Sequence, residues 1–308
     1  MSDWQLKTPV AFLVFNRPDT TERVFEEIRR AKPPVLLVVA DGPRSDRPDE
    51  ARQCEAVRAI IDRVDWECEV LKNYSDLNLG CKHRVSSGLD WVFENVDQAI
   101  ILEDDCLPHP TFFRFCEELL EKYRDDKRVM HISGTNFQSG WKRDIYSYYF
   151  SNYGSIWGWA SWKRAWNLYD LEMRLYPEIK EKKYLLDICG NRQEMKFREE
   201  IFNAVFYNSL NTWDYQWTFA RLVNSGLSIV PKVNLISNIG FGGENSTHMS
   251  SKTDLRSNMP VSAIEFPLLH PPFMIRDKIS DDRFYRKFLK KKTLQIIKRI
   301  ARRFIDKL

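Results

Sequence analysis

No stretch of eighteen apolar residues occurs in the chain, so nothing reads as a bilayer span. Cysteine is sparse: Cys54, Cys68, Cys81, Cys106, Cys116 and Cys189 form no Cys-x-x-Cys pair and keep no regular spacing. That argues against a disulfide framework or a thiolate zinc site, and it fits a reducing compartment. The opening MSDWQLKTPVAFLVFNRP has no basic flank ahead of a long apolar stretch, so no signal peptide is expected and the expected location is the cytoplasm. Internal repeats and low-complexity tracts are also lacking.

What is present is a globular composition, 43% hydrophobic and 13% aromatic with 10 Trp, suited to handling rings, sugars or bases. A formal charge of +4 hides an asymmetry. Residues 283–308 hold 11 Lys/Arg against the single Asp306, while the remainder holds 36 Lys/Arg and 42 Asp/Glu. An acidic body with a basic tail is not the footprint of a nucleic-acid binder, and no nucleic-acid partner is expected.

Residues 8–105 alternate short apolar runs with amphipathic ones. VAFLVFN, PVLLVVADG, CEVLKNY and QAIILEDD read as strands; RPDTTERVFEEIRRA, DEARQCEAVRAIIDRV and CKHRVSSGLDWVFENV read as helices between them. Val/Ile/Leu-rich strands alternating with helices predict an α/β fold with a mostly parallel sheet covered on both faces. Ligands of such sheets bind beyond the carboxyl ends of the strands. Asn16, Arg17, Asp41 and the triplet Glu103–Asp104–Asp105 all fall there. HPTFFRFCEELLEKYRDD predicts a further helix, RVMHISGTNF a strand and loop, and a helix is expected to begin near Ala160. Residues 171–210 read as helical, and NTWDYQWTFARLVNSGLSIVP as helix, Gly226 stop and strand.

Three adjacent carboxylates at the end of a buried strand repel one another and need compensation. One reading is a solvated turn. The other is a divalent cation, Mg²⁺ or Mn²⁺, held by one or two carboxylates, with phosphate oxygens and water completing its shell. Asp214 also has two readings, a base for an acceptor hydroxyl or the N-cap of the helix that follows it. Trp157, Trp159, Trp162 and Trp166 are expected mostly in the core, with Trp157 and Trp159, flanking Gly158, the ones expected to meet a sugar. GFGGENSTH reads as a lid, with His248 either structural or near the cation.

The block ILEDDCLPHPTFFRF resembles the DxD-type segment of GT-A glycosyltransferases, closest to the EDD form of N-acetylglucosaminyltransferase I-like enzymes. VFNRPDTTERVFEEI, VVADGPR and TWDYQWTFARLVNSGLSIVPKV keep the same order, so the resemblance covers about residues 8–250. The chain is also similar to bacterial sugar transferases with an N-terminal VFNRP block. The resemblance implies a metal-dependent, inverting transfer of sugar from a UDP-linked donor to a glycan or lipid-linked acceptor. Asp105, with Asp104, would hold the cation. Phe15, Asn16, Arg17, Asp41, Glu103 and Asp104 would contact the nucleotide sugar, Asp41 through a uracil N–H. Lys82 or Arg84 would approach the diphosphate, although CKHR departs from the family's pattern. Asp214 would be the base, and Trp157, Trp159 and Trp213 would line the acceptor site. A sugar nucleotidyltransferase is the alternative, but FNRPDTT lacks that class's glycine-rich phosphate loop. A non-catalytic binding module of the same fold is a third reading.

Residues 1–270 are therefore expected to form the GT-A domain, with a nucleotide-sugar half at about 8–105 and an acceptor half at about 130–270. Residues 271–308 are expected to be a linker and a basic amphipathic helix. Apolar residues at 285, 289, 296, 300, 304 and 308 suit either an anionic membrane surface at the inner face of the cell membrane or packing on the body.

Overall fold

The computed structural model describes residues 4–189, 191–241 and 258–289. Within them the strands are β1 (Val10–Val14), β2 (Val35–Ala40), β3 (Glu69–Tyr74), β4 (Gln98–Glu103), β5 (Cys106–Pro108), β6 (Val129–Ser133), β7 (Tyr148–Ser151), β8 (Trp159–Trp162), β9 (Leu227–Pro231) and β10 (Ile236–Asn238). The helices are α1 (Pro18–Ala31), α2 (Glu50–Ile61), α3 (Gly80–Asn95), α4 (Thr111–Lys122), α5 (Lys163–Trp166), α6 (Tyr176–Glu181), α7 (Tyr184–Cys189), α8 (Arg192–Phe206), α9 (Asp214–Val223) and α10 (Lys278–Phe284), the last running into a π turn at Tyr285–Leu289.

Eight strands form one sheet in the order β3-β2-β1-β4-β8-β6-β9-β7, and β10 pairs with β5 in a small second sheet. The first four strands are parallel, as the alternating pattern predicts. Their buried runs feed both faces. Val10, Phe12 and Val14 join one apolar cluster with Ile100 and Leu102, while Ala11 and Leu13 join another with Leu89, Val92 and Phe93. This is the period-two alternation of a strand covered on both sides.

α1 follows from its sequence. Pro18 lies in its first turn, where a missing N–H costs nothing, and Thr21, Val24, Phe25 and Ile28 make its buried stripe. Lys32, in a left-handed conformation (φ 50°), ends it.

Past Tyr123 the structure departs from expectation. The residues around Ala160 are strand, not helix: Trp159–Trp162 pair antiparallel with both β4 and β6, and helix begins only at Lys163. The stretch 171–210 is three separate helices that close a third apolar cluster around Tyr176, Phe202 and Phe219. The sheet runs unbroken through the β4–β8 pairing, across the expected division into halves. Of the expected tail, residues 271–289 lie along the body, with Phe284 and Phe288 against Phe137; residues 290–308 lie outside the described residues.

Candidate functional site

The strand order reverses direction at β1: β2 lies on one side of it and β4 on the other. The crevice above such a reversal is where open α/β sheets hold ligands. The register puts Leu13 beside Glu103, so the β1–α1 connection (Phe15, Asn16, Arg17) meets the acidic triplet there.

The triplet is neither a solvated turn nor a three-carboxylate cage. Asp104 is buried and faces the β1–α1 connection: its Oδ2 accepts from the Phe15 N–H (3.1 Å) and its Oδ1 lies 3.5 Å from Arg17 Nη1. Asp105 Oδ2 accepts from Arg17 Nη1 at 2.8 Å, and its Oδ1 accepts from Asn238 Nδ2 at 3.3 Å. Arg17 is thus the compensating charge that three neighbouring carboxylates require. Burial, reinforced by the charges of Asp105, Asp104 and Asp214, raises the Glu103 carboxyl well above its usual range. Its Oε1 is buried without a hydrogen-bond partner.

Gly240, distant in sequence, packs directly on Asp105. A Cβ on Gly240 would stand 2.2 Å from Asp105 Oδ2 and 2.8 Å from its Cβ, so the carboxylate occupies room that only glycine leaves. Ile239 N–H donates to the Asp105 carbonyl (2.8 Å). Asn238 and Gly240 were missed in the sequence because GFGG reads there only as a lid. The β10–β5 pairing that delivers them joins strands more than a hundred residues apart.

Asp214 is the first residue of α9 and not its cap; Trp213 holds the cap position without a side-chain hydrogen bond. Thr212 Oγ1 donates to Asp214 Oδ1, and Gln216 Nε2 donates to the Thr212 carbonyl (2.7 Å), which fixes the turn. Asp214 is half-buried at the positive end of the helix dipole. Its charge contributes to the upward shifts of Glu103 and of Cys81, so it shares their surroundings.

The other residues expected to make contacts have the following surroundings. Asp41 is fully engaged: Oδ1 accepts from the N–H groups of Gly42 and Leu79 (both 2.9 Å), and Oδ2 from Gly80 N–H (3.0 Å) and Asn78 Nδ2 (3.1 Å). A carboxylate has about four lone-pair sites, so none remains for a uracil N–H. Arg84 is buried, donating to Ala40 O (3.2 Å) and Asn73 Oδ1 (2.7 Å). Lys82 is 7% exposed and donates to Asn208 Oδ1 at 3.0 Å. Asn16 is buried, with Nδ2 on Glu50 Oε1 (2.8 Å) and Oδ1 unpartnered. Trp159 and Trp213, 0% and 2% exposed, stack on each other in the core (5.9 Å) and present no face to an acceptor. Trp157 remains half-buried, edge-on to Phe241 (5.6 Å). His248 lies outside the described residues.

Among the described residues no three His, Cys, Asp or Glu side chains converge to hold a metal ion. Asp105, the member of the triplet that meets Arg17 most closely, has Oδ2 engaged by Arg17 and Oδ1 by Asn238, and oxygen donors of this kind suit Mg²⁺ or Mn²⁺ more than zinc. No helix of the described residues is long and apolar enough to cross a membrane.

No family model matches the chain, and no curated protein matches it. Among solved structures it is similar to 4-diphosphocytidyl-2C-methyl-D-erythritol synthase from Anaerococcus prevotii DSM 20548, at 11% identity over 55% of this chain and 77% of that one, TM-score 0.34. It is also similar to UDP-glucose pyrophosphorylase, with UDP-glucose (12% identity, 52% and 79% covered, TM-score 0.30) and without it (11%, 52% and 79%, 0.29). Likeness this slight carries no argument about activity, and the fold class rests on the strand order itself.

Proposed function

We propose that the chain is a transferase acting on a nucleotide sugar, and that it moves the sugar to a hydroxyl of a glycan or lipid-linked acceptor. One arrangement carries this reading. An acidic triplet ends β4 at the point where the sheet order reverses, and Asp214 opens α9 within range of its charge. Asp105 would hold Mg²⁺ or Mn²⁺, and a bound ion would offset charge developing on a departing diphosphate. Asp214 takes the acceptor proton, its carboxylate oriented by the Thr212 hydroxyl. Arg17, which reaches both Asp104 and Asp105, would supply a cation to an incoming phosphate. Trp157, half-buried and braced edge-on by Phe241, offers the apolar face that Trp159 and Trp213 do not.

Nucleotidyl transfer is the second reading, because cation and nucleotide would occupy the same crevice in either reaction. The saturated Asp41 favours it to this extent: it removes the residue on which a UDP-specific transfer was to rest. The connection Phe15-Asn16-Arg17 contains no glycine to cradle a phosphate, and this favours sugar transfer.

Calorimetric titration with a panel of nucleotide sugars, with and without Mn²⁺, tests the site, and product analysis separates the reactions. Sugar transfer releases a nucleoside diphosphate; nucleotidyl transfer makes or consumes pyrophosphate. Asp105→Asn should abolish the cation dependence of donor binding. Asp214→Asn should leave donor binding within about twofold and slow transfer by about 10²–10⁴. Unaltered cation-dependent binding in Asp105→Asn would remove the proposal.

A further inference from the structure

One edge of the body is built by two segments running past each other. Ser139 Oγ meets Lys287 Nζ (2.6 Å), Trp141 lies under the Arg283 guanidinium (4.3 Å), and Arg143 pairs with Asp277 (2.8 Å). Tyr146 then packs edge-on to Phe273 (5.8 Å), and Ser147 exchanges hydrogen bonds with Leu269 (2.8 and 2.9 Å). The contacts step in register from 139 and 287 to 147 and 269, so this is one continuous strip.

Its outer surface is unusual. Of the eleven large hydrophobic side chains exposed among the described residues, five belong to these segments: Ile145 (75%), Ile275 (68%), Leu269 (50%), Ile279 (48%) and Phe273 (45%). Scattered apolar exposure needs no explanation, but its concentration does. Interleaved with these are the exposed cations Lys142, Arg283, Arg286 and Lys287. The acids nearby are mostly engaged: Asp277 with Arg143, Asp281 with Arg276, Asp282 with Lys278. The sequence after Leu289 continues the bias with eight Lys/Arg against Asp306.

We propose that the strip formed by residues 139–147 and 269–288 seats the folded body on an anionic lipid bilayer. Positive charge alone would also suit a nucleic acid. Exposed isoleucine and leucine offer a polyanion nothing, whereas a bilayer interface takes up both the aliphatic side chains and the cations. The inference does not depend on the donor chemistry or on the structure of residues 290–308.

The test uses the full chain and vesicles of phosphatidylcholine, with and without phosphatidylglycerol. Wild type should sediment with the anionic vesicles and lose binding as salt is raised. Ile145→Glu/Phe273→Glu/Ile275→Glu, all at exposed positions, should keep the wild-type circular dichroism and melting temperature and bind at least about tenfold less. Hydrogen exchange of wild type on vesicles should slow in residues 141–147 and 269–288. Wild-type sedimentation by the triple variant, or exchange in the strip unchanged by vesicles, would overturn the proposal and assign any binding to the sequence beyond Leu289. Protection of the strip by added RNA but not by vesicles would equally overturn it.

Discussion

Asp41 shows how far a single residue can be read from sequence. Its place at the end of β2 was legible because a strand rich in Val and Leu must stop somewhere polar. Its role was not, since the Leu79 and Gly80 N–H groups it accepts from come after both α2 and β3 in the chain. Burial pushes the Asp41 carboxyl up, while the backbone donors of Leu79, Gly42 and Gly80 pull it down. Asp41→Asn sets an amide donor against those donors. It should destabilise the fold by about 2–4 kcal/mol, since buried hydrogen bonds to a charged group are lost and donors are left facing donors. Urea melts measure this directly. If stability holds and only nucleotide affinity falls, the loop-clamp role is wrong. Arg17 and Asp105 lie on the readable side of the same boundary: both were placed at strand ends by the apolar pattern, and the adjacency of β1 and β4 brought them together.

At the scale of elements, the parallel half was legible because each strand and each helix carried its own period. β8 was not. Trp-Ala-Ser-Trp is buried on both faces, so no alternation marks it as a strand, and its neighbours β4 and β6 are distant in sequence. The packing that β8 makes holds His131 on β6. Its imidazole stacks on Trp159 (5.1 Å), Nδ1 accepts from Trp217 Nε1 (3.2 Å), and Nε2 pairs with Ser155 O (3.0 Å), which assigns the tautomer with the proton on Nε2. Burial, then the charge of Arg221, holds its pKa well below 6.5. Below about pH 6.5 the unfolded chain takes up a proton that the folded chain refuses, so stability falls as pH falls. The cost grows by up to about 1.4 kcal/mol per pH unit until the folded histidine itself titrates. His131→Gln should be less stable at pH 7 yet show a flatter loss between pH 6.5 and 5. Paired urea titrations of the two proteins isolate the slope, and equal slopes would show that His131 is charged in the fold.

For the whole molecule, the sequence suggested a nucleotide half and an acceptor half, and the sheet joins them. β4 is an inner strand with β1 on one side and β8 on the other, and Ile100 pairs with Ala160 at full burial on both partners. Cutting the chain after Asp126 would leave Gln98–Glu103 as an edge: an apolar strand with unpaired N–H and C=O groups, whose one charged residue, Glu103, stands at its very end. It would also strip Ile101 of the cover of Trp159 and Trp217 on the second face. The fragment 1–126 should therefore aggregate or elute as high oligomers on size exclusion, although every strand of the parallel half is present. Adding back β6, β7 and β8, in a chain ending after Ala165, should recover part of the soluble yield, because β8 closes the edge even though β9, with which β7 pairs, is missing. A monodisperse, cooperatively melting 1–126 fragment would mean that the parallel half folds by itself and that the seam at β4 contributes little to holding the triplet in place.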